Sequence, residues 1–395
     1  MIARSGPVCG VLGGMGMHRA GSDMAASARE GHNRRLIIFV SRGFNMSKAL
    51  GYAALSPTTP LAPLSFERRA LRPNDVSIAI EFCGVCHSDL HQARNDWGIA
   101  VYPLVPGHEI VGRVVAVGDQ VQKYAVGDRV GVGCMVDSCQ HCDACHADLE
   151  QYCLEGPTMT YATPDRIDGT NTMGGYSDSI VVSENFVVRI PDGLDAANAA
   201  PILCAGITTY SPLKHYGVKP GDKVGILGMG GLGHMGIKFA KALGAEVTLF
   251  TRSASKAAEG RRQGADHVIV STDAEQMKAA AETFDFLLDT IPVPHDLNPY
   301  LETLRFDGVH ILVGLIQPVD PALHAANLVL KRRVLAGSLI GGIKETQEVL
   351  DFCAEHNITC DIEMLDIKNI NEAFERMHAG DVKYRFVIDM ASLKA

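Results

Sequence analysis

Four cysteines crowd one short loop of this 395-residue chain, spaced Cys139-x-x-Cys142-x-x-Cys145-x7-Cys153. Four thiolates so close can close a tetrahedron around Zn²⁺ with no vacant corner, which braces a loop and activates nothing. A redox-active C-x-x-C would want two cysteines beside a thioredoxin-like strand and helix. This segment is rich in Asp and His and carries four, so a structural metal is the preferred reading. Cys134, five residues earlier, reads as a small apolar residue.

A second set of metal-type side chains is dispersed. Cys86 lies in Cys83-Gly84-Val85-Cys86-His87-Ser88-Asp89-Leu90-His91, His108 in Gly107-His108-Glu109, and Cys204 in Cys204-Ala205-Gly206-Ile207-Thr208. Spacing alone cannot pair residues so far apart, and a lone His or Cys is more often structural.

Gly228-Met229-Gly230-Gly231-Leu232-Gly233 fits G-x-G-x-x-G, follows the apolar run Val224–Leu227 and opens a helical pattern. That context suits dinucleotide binding. Gly228 permits a tight turn, Gly230 lets the backbone approach a pyrophosphate, and Gly233 allows close helix–sheet packing. The helix start offers free N–H groups to the phosphates. The next strand ends at Phe250-Thr251-Arg252-Ser253, where an NAD-type site would place an acid. Arg252, Ser253 and Lys256 suit a 2′-phosphate instead, so NADP(H) is favoured. Arg252 and Lys256 could otherwise be solvated residues at a helix start.

The elements that must position these groups change texture along the chain. From Lys48 to about Ile190, short strands are broken by Gly, Pro and Asp. Asp75–Phe82 alternates, and Ile110–Val117, Arg129–Val132 and Ser179–Val182 are further strand candidates. A helix is expected from Ala196 to Leu203. Strands then alternate with helices: Val224–Leu227, Val247–Phe250, His267–Val270, Phe284–Leu288, Val309–Val313 and Val334–Leu339. Six such strands predict a doubly wound parallel sheet. Helices at Thr346–His356 and Ile370–His378 and a last strand, Tyr384–Ile388, lie outside that count, and the tail is expected to fold back onto the first domain.

Composition narrows the function class. The net charge of −9 offers no basic footprint for nucleic acid or anionic lipid. Apolar runs such as Leu36–Val40 are too short to span a bilayer, so a soluble, cytoplasmic protein is expected. In such a chain the clustered cysteines read as metal ligands rather than disulfides. Cys9, Cys353 and Cys360 read as inert thiols. Residues 1–45 are expected to be a disordered extension or a tail from an upstream start, with Met46 as the natural beginning.

Taken together, these segments resemble the zinc-dependent medium-chain alcohol dehydrogenases, specifically the cinnamyl-alcohol-dehydrogenase-like, NADP-dependent aldehyde reductases. The resemblance runs from about Lys48 to Ile388. It includes Gly107-His108-Glu109-Ile110-Val111-Gly112, the four-cysteine loop, Cys204-Ala205-Gly206-Ile207-Thr208-Thr209-Tyr210 and the glycine-rich turn, in the family's order. It implies an α/β fold: a six-stranded doubly wound Rossmann domain for NADP (199–341) and a β-rich GroES-like catalytic domain (46–198 and 342–395).

The resemblance further implies that Cys86, His108 and Cys204 bind a catalytic zinc, with Glu109 as an alternative ligand and Asp89 fixing the His108 ring. Two zinc ions per subunit and NADP(H) follow. So does hydride transfer between the cofactor and an aldehyde or primary alcohol. Ser88 matches the hydroxyl beside the substrate oxygen and His91 the far end of a proton relay through the cofactor ribose. The bland alternatives are that Ser88 caps a helix starting at Asp89 and that His91 is a surface residue; the resemblance favours the relay. His87 matches a pyrophosphate contact, Thr208 a neighbour of the nicotinamide, and Arg385 a late basic residue that can reach the phosphates; Lys383 and Arg385 could otherwise face solvent. Trp97 and Tyr102 could line a substrate pocket, or serve the core. The extension before Met46, the extra thiol Cys83 and Arg252, where hydroxyl residues are common, depart from the pattern. A homodimer or homotetramer is expected. A polyol or secondary alcohol is the alternative substrate, a zinc-free double-bond or quinone reductase of the same fold is a more distant rival, and a non-catalytic zinc module is the alternative of another class.

Overall fold

The structure, a computed structural model, describes residues 46–394 apart from residue 315. The expectation for residues 1–45 therefore lies outside the described residues. Two sheets dominate. The first has six parallel strands in the spatial order His267–Val270, Glu246–Thr251, Lys223–Leu227, Phe284–Asp289, Leu304–Leu312 and Val334–Gly337. The chain starts in the middle, winds outward one way, and returns to wind outward the other. This order puts the loop after Lys223–Leu227 at the switch point, where open α/β sheets bind ligands.

The second sheet is mostly antiparallel. Its strands run Ile362–Asp366, Arg385–Asp389, Asp75–Val85, Ile110–Val117, Arg129–Val132 and Val188–Arg189, with Ser179–Ser183 also paired to Asp75–Val85. The last strand of the chain pairs antiparallel with Asp75–Val85, so the tail does return to the first half. That pairing aligns Phe386 with Val85 and delivers Arg385 beside the turn that carries Cys86.

Core residues explain why these segments hold. Val224, Ile226, Val247 and Leu249 have no exposed surface and pack with Ile202, Leu203, Ile207, Val349, Leu350 and Val387 in one cluster. The seam between the sheets is thus packed core, and at about 1.5–3 kcal/mol per buried aliphatic side chain it fixes their relative position.

Three elements differ from the sequence reading. The helix expected over Ala196–Leu203 is a short α-helix, Ala196–Ala199, then a 3₁₀ turn, Ala200–Leu203, because Pro201 lacks an N–H to continue the ladder. A new helix, Ala205–His215, starts directly after Cys204. The helix after Cys86 spans His87–Ala93, so Cys86 rather than Ser88 takes the N-cap place.

Candidate active site

Asp75–Val85 ends in a turn whose geometry is set by Asp89. At the third position of the following helix, Asp89 accepts from the backbone N–H of Cys86 at 2.9 Å. This closes the helix start from inside and leaves the Cys86 thiol at its rim. His108 and Glu109 stand at the head of Ile110–Val117, and Cys204 in the break before Ala205–His215. Folding brings these distant segments together. Ligand atoms of Cys86, His108, Glu109 and Cys204 all lie within 4.8 Å of one another, and all four residues are buried. The Cys86 and Cys204 sulfurs are 3.9 Å apart.

The electrostatics suit a cation. Asp89 stands 3.2 Å from His108 Nδ1, which leaves Nε2 free to ligate. Burial, the largest single effect, depresses the His108 imidazole, but the charge and hydrogen bond of Asp89, with the Cys134 and Cys86 thiols, together raise its pKa well above the ordinary value. The hydrogen bond with Cys204, helped by the Arg385 charge, holds the Cys86 thiol well below its ordinary value against burial. Glu109 is fully buried; one carboxylate oxygen pairs with Arg385 and the other, Oε2, has no partner. Two thiols, an imidazole and a buried carboxylate oxygen form a donor set that fits Zn²⁺.

Cys139, Cys142, Cys145 and Cys153 also converge within 4.8 Å. Backbone N–H groups donate to their sulfurs: Cys142 to Cys139 at 3.3 Å, Cys139 to Cys153 at 3.4 Å and Leu154 to Cys142 at 3.4 Å. The Leu154 N–H, with that of Cys145, pushes the Cys142 thiol down to about 6. Such donors stabilise thiolates, the form a closed Cys₄ metal site needs.

The glycine-rich turn has the expected strand–turn–helix context, with the helix at Gly231–Ala242 capped by Gly230. Gly228 has φ +86, a conformation costly to other residues, and a Cβ at Gly233 would sit 2.1 Å from the Gly228 carbonyl. A Cβ at Gly230 would meet nothing within 4 Å, so the space over the turn is open. Leu232 is half-buried there. Gly231 faces Arg385, whose side chain a Cβ would strike at 2.5 Å. Arg385 is buried and paired with Glu109, so the solvent-facing alternative fails for it. Lys383 is the exposed one, paired with Glu259.

The remaining candidates fall into two groups. Ser88 Oγ lies 3.6 Å from Cys86 Sγ, and Thr208 is buried one turn past Cys204. His87 is half-buried, and burial lowers its pKa. His91 is part-exposed with Nδ1 2.8 Å from Asp96, its ring 5.4 Å from that of Trp97. Thr251 is buried, Ser253 half-buried, and Arg252 and Lys256 are exposed at the end of Glu246–Thr251. Neither cation enters an ion pair among the described residues. Tyr102 is not brought into the cluster by any hydrogen bond; its hydroxyl donates to the Ala93 carbonyl at 2.8 Å, bracing the helix end.

Sequence reading missed one neighbour. Cys134 is buried, as expected of a small apolar residue, but its thiol donates to the Leu203 carbonyl at 3.9 Å, the residue before Cys204, and so lies beside the cluster. Its spacing from Cys139 tied it to the other loop, and only the path of the strand Arg129–Val132 turns it inward.

Residues 72–192 match the alcohol dehydrogenase GroES-like domain, and residues 231–355 the zinc-binding dehydrogenase domain. The chain is 55% identical over 347 residues to aldehyde reductase YahK of Escherichia coli, covering 88% of this chain and 99% of that one. It belongs to the zinc-binding alcohol dehydrogenases. NADP-dependent alcohol dehydrogenase C 1 of Mycolicibacterium smegmatis is 53% identical over 89% of this chain and all of its own. A probable mannitol dehydrogenase of Medicago sativa is 52% identical, over 87% of this chain and 96% of its own. Among solved structures, a cinnamyl alcohol dehydrogenase of Sorghum bicolor superposes with a TM-score of 0.85 at 45% identity, over 87% of this chain and 98% of that one. One from Helicobacter pylori, complexed with NADP(H), gives 0.83 at 43%, over 88% and 99%. In a zinc-binding alcohol dehydrogenase, the two convergent cysteine clusters and the glycine-rich turn have a coherent use.

Proposed function

We propose that this chain is a zinc-dependent, NADP(H)-linked oxidoreductase that interconverts aldehydes and primary alcohols, with Cys86, His108 and Cys204 holding the catalytic metal. The observation that carries this reading is the buried convergence of two thiols, an imidazole and a Glu109 carboxylate oxygen, drawn from separate segments. Bound zinc would supply a Lewis acid for a carbonyl oxygen, and the nicotinamide a hydride.

The chain's own groups do the rest. Asp89 holds the imidazole of His108 in one orientation. Ser88, beside Cys86, is placed to give a proton to a developing alkoxide, and His91, part-exposed and tied to Asp96, is placed to exchange protons with solvent. Gly228, Gly230 and Gly233 keep the pyrophosphate cradle open, and Arg385, lying against Gly231, puts a cation beside it. Arg252, Ser253 and Lys256 receive the 2′-phosphate. Cys139, Cys142, Cys145 and Cys153 hold the structural zinc.

The catalytic domain would comprise 46–198 and 342–395, with 199–341 binding the cofactor. The edge strand Val334–Gly337, with Val334, Val329 and Leu330 exposed, favours a homodimer built across that edge, whose mass light scattering would read. No helix among the described residues is long and apolar enough to cross a membrane, which fits a cytoplasmic enzyme. The test is NADPH consumption with benzaldehyde and butyraldehyde, before and after chelation. Turnover lost on chelation and restored by Zn²⁺ supports the reading. Turnover of a polyol alone would favour the second reading, which the mannitol dehydrogenase relative keeps in view.

A further inference from the structure

Asp89 is fully buried, and its two oxygens meet four donors. Oδ1 takes the Gly107 N–H at 3.0 Å and lies 3.2 Å from His108 Nδ1; Oδ2 takes the Cys86 N–H at 2.9 Å and the Tyr176 hydroxyl at 3.0 Å. A carboxylate has about four lone-pair sites, so this one is saturated. Three of the donors belong to the segments that carry Cys86 and His108. The fourth, Tyr176, comes from a remote loop and has no exposed surface.

Tyr176 also holds the His108 segment through its backbone and ring. Its N–H donates to the Pro106 carbonyl at 2.9 Å, and its neighbour Gly175 donates to Gly107 at 2.8 Å. Gly107 has φ +101, and a Cβ there would meet the Tyr176 ring at 2.6 Å, so the ring fills the space beside His108's approach. The Tyr176 carbonyl is in turn fixed by the Tyr52 N–H at 2.8 Å. Arg68, buried, donates to the Gly174 carbonyl at 2.9 Å and to Ser177 Oγ at 2.7 Å, pinning the loop on either side.

We infer that Tyr176 is a positioning residue for the catalytic metal, clamping the Cys86 turn and the His108 loop in ligating register through one hydroxyl on Asp89 and one ring against Gly107. The inference rests on the proposed metal site. Loss of its hydroxyl leaves Asp89 Oδ2 with one donor instead of two and so less firmly held, and outer contacts of this kind change metal affinity by about 10–100-fold. Tyr176→Phe keeps the ring and so the fold.

The chain supplies its own control, because the four-thiolate loop lies outside this network. The experiment measures release of both zinc ions from the full-length enzyme to a chromophoric chelator, in wild type, Tyr176→Phe and Tyr124→Phe. Tyr124 loses a comparable bond, from its hydroxyl to the Val187 carbonyl at 2.5 Å, away from the site. The expected result is that Tyr176→Phe alone speeds release of one equivalent by about 10–100-fold, with the second equivalent unchanged. Release at the wild-type rate would overturn the inference, and so would equal acceleration of both equivalents, which reads as general loosening. A wild type holding one zinc only, in the four-thiolate loop, would overturn the proposed metal site itself and this inference with it.

Discussion

Arg385 reaches across the molecule to Glu109: the two residues, 276 apart in sequence, form a fully enclosed ion pair between the metal cluster and the glycine-rich turn. The Arg385 side chain lies against Gly231, and a Glu109 carboxylate oxygen lies within 4.8 Å of the ligand atoms of Cys86, His108 and Cys204. The last strand of the fold therefore does more than complete a sheet. It carries Arg385, a cation that touches both the Glu109 carboxylate and the glycine-rich turn.

Cofactor choice is predicted to follow Arg252. It is exposed at the end of Glu246–Thr251 without an acid partner among the described residues, so its charge is available to a phosphate. Arg252→Asp should lower kcat/KM for NADPH by about 10–100-fold, the range of a lost charge-assisted hydrogen bond of about 1.5–3 kcal/mol, and should raise it for NADH. Steady-state kinetics with both cofactors check this; an unchanged ratio would remove the 2′-phosphate argument.

The four-thiolate loop is predicted to contribute stability and no chemistry. Cys142→Ser removes the sulfur that accepts from Leu154 and neighbours Cys145 at 3.5 Å. Thermal unfolding should occur roughly 6–12 °C lower, the shift that about 3 kcal/mol produces in a domain of 150–250 residues. One zinc should be lost, while kcat measured well below the new midpoint stays near wild type.

Acid stability is predicted to depend on His234. Its Nδ1 stands 3.2 Å from the Gly230 carbonyl, an acceptor only, so Nδ1 carries the proton and Nε2 accepts from the Cys360 thiol at 3.2 Å. Burial, with Lys238 nearby, lowers its pKa from 6.5 to about 4. The unfolded chain therefore binds a proton near pH 6.5 that the folded chain refuses until about pH 4. Stability conferred by the neutral ring is full above 6.5 and declines as pH falls through that window, by about 3 kcal/mol in total. His234→Asn should flatten this part of the profile. Urea midpoints from pH 7 to 4 measure it, and parallel curves for the two proteins would refute it.

How much of this was legible beforehand depended on whether the signal was local. The six parallel strands were readable because each is a short, largely apolar run, four of them next to a Gly or Asp, and their order follows from the βαβ winding. Ends were less readable. Leu304–Leu312 starts well before the expected Val309 because Leu304 pairs with Phe284 across a bulge, while Arg305, Phe306 and Asp307 between them face solvent and mask the pairing. The alternative in which Ser88 caps a helix starting at Asp89 fails, because the cap comes from inside, from Asp89.

The two metal clusters show the same division. Cys139 to Cys153 declare themselves by spacing, since one loop holds them all. Cys86, His108 and Cys204 carry no mutual spacing, and only a family resemblance could nominate them before folding placed the sulfurs of Cys86 and Cys204 3.9 Å apart. Cys134 and Tyr176, which approach Cys204 and Asp89 through sheet and loop contacts, had no signal in the sequence.

The most direct test is a zinc count on active enzyme, paired with Cys204→Ala. Two zinc ions per subunit are predicted for wild type. The variant should retain one, stay folded, bind NADPH and lose at least about 10³-fold in kcat/KM, equivalent to several kcal/mol of lost Lewis-acid stabilisation. Full activity in wild-type protein holding a single zinc in the four-thiolate loop, or undiminished turnover by Cys204→Ala, would contradict the assignment.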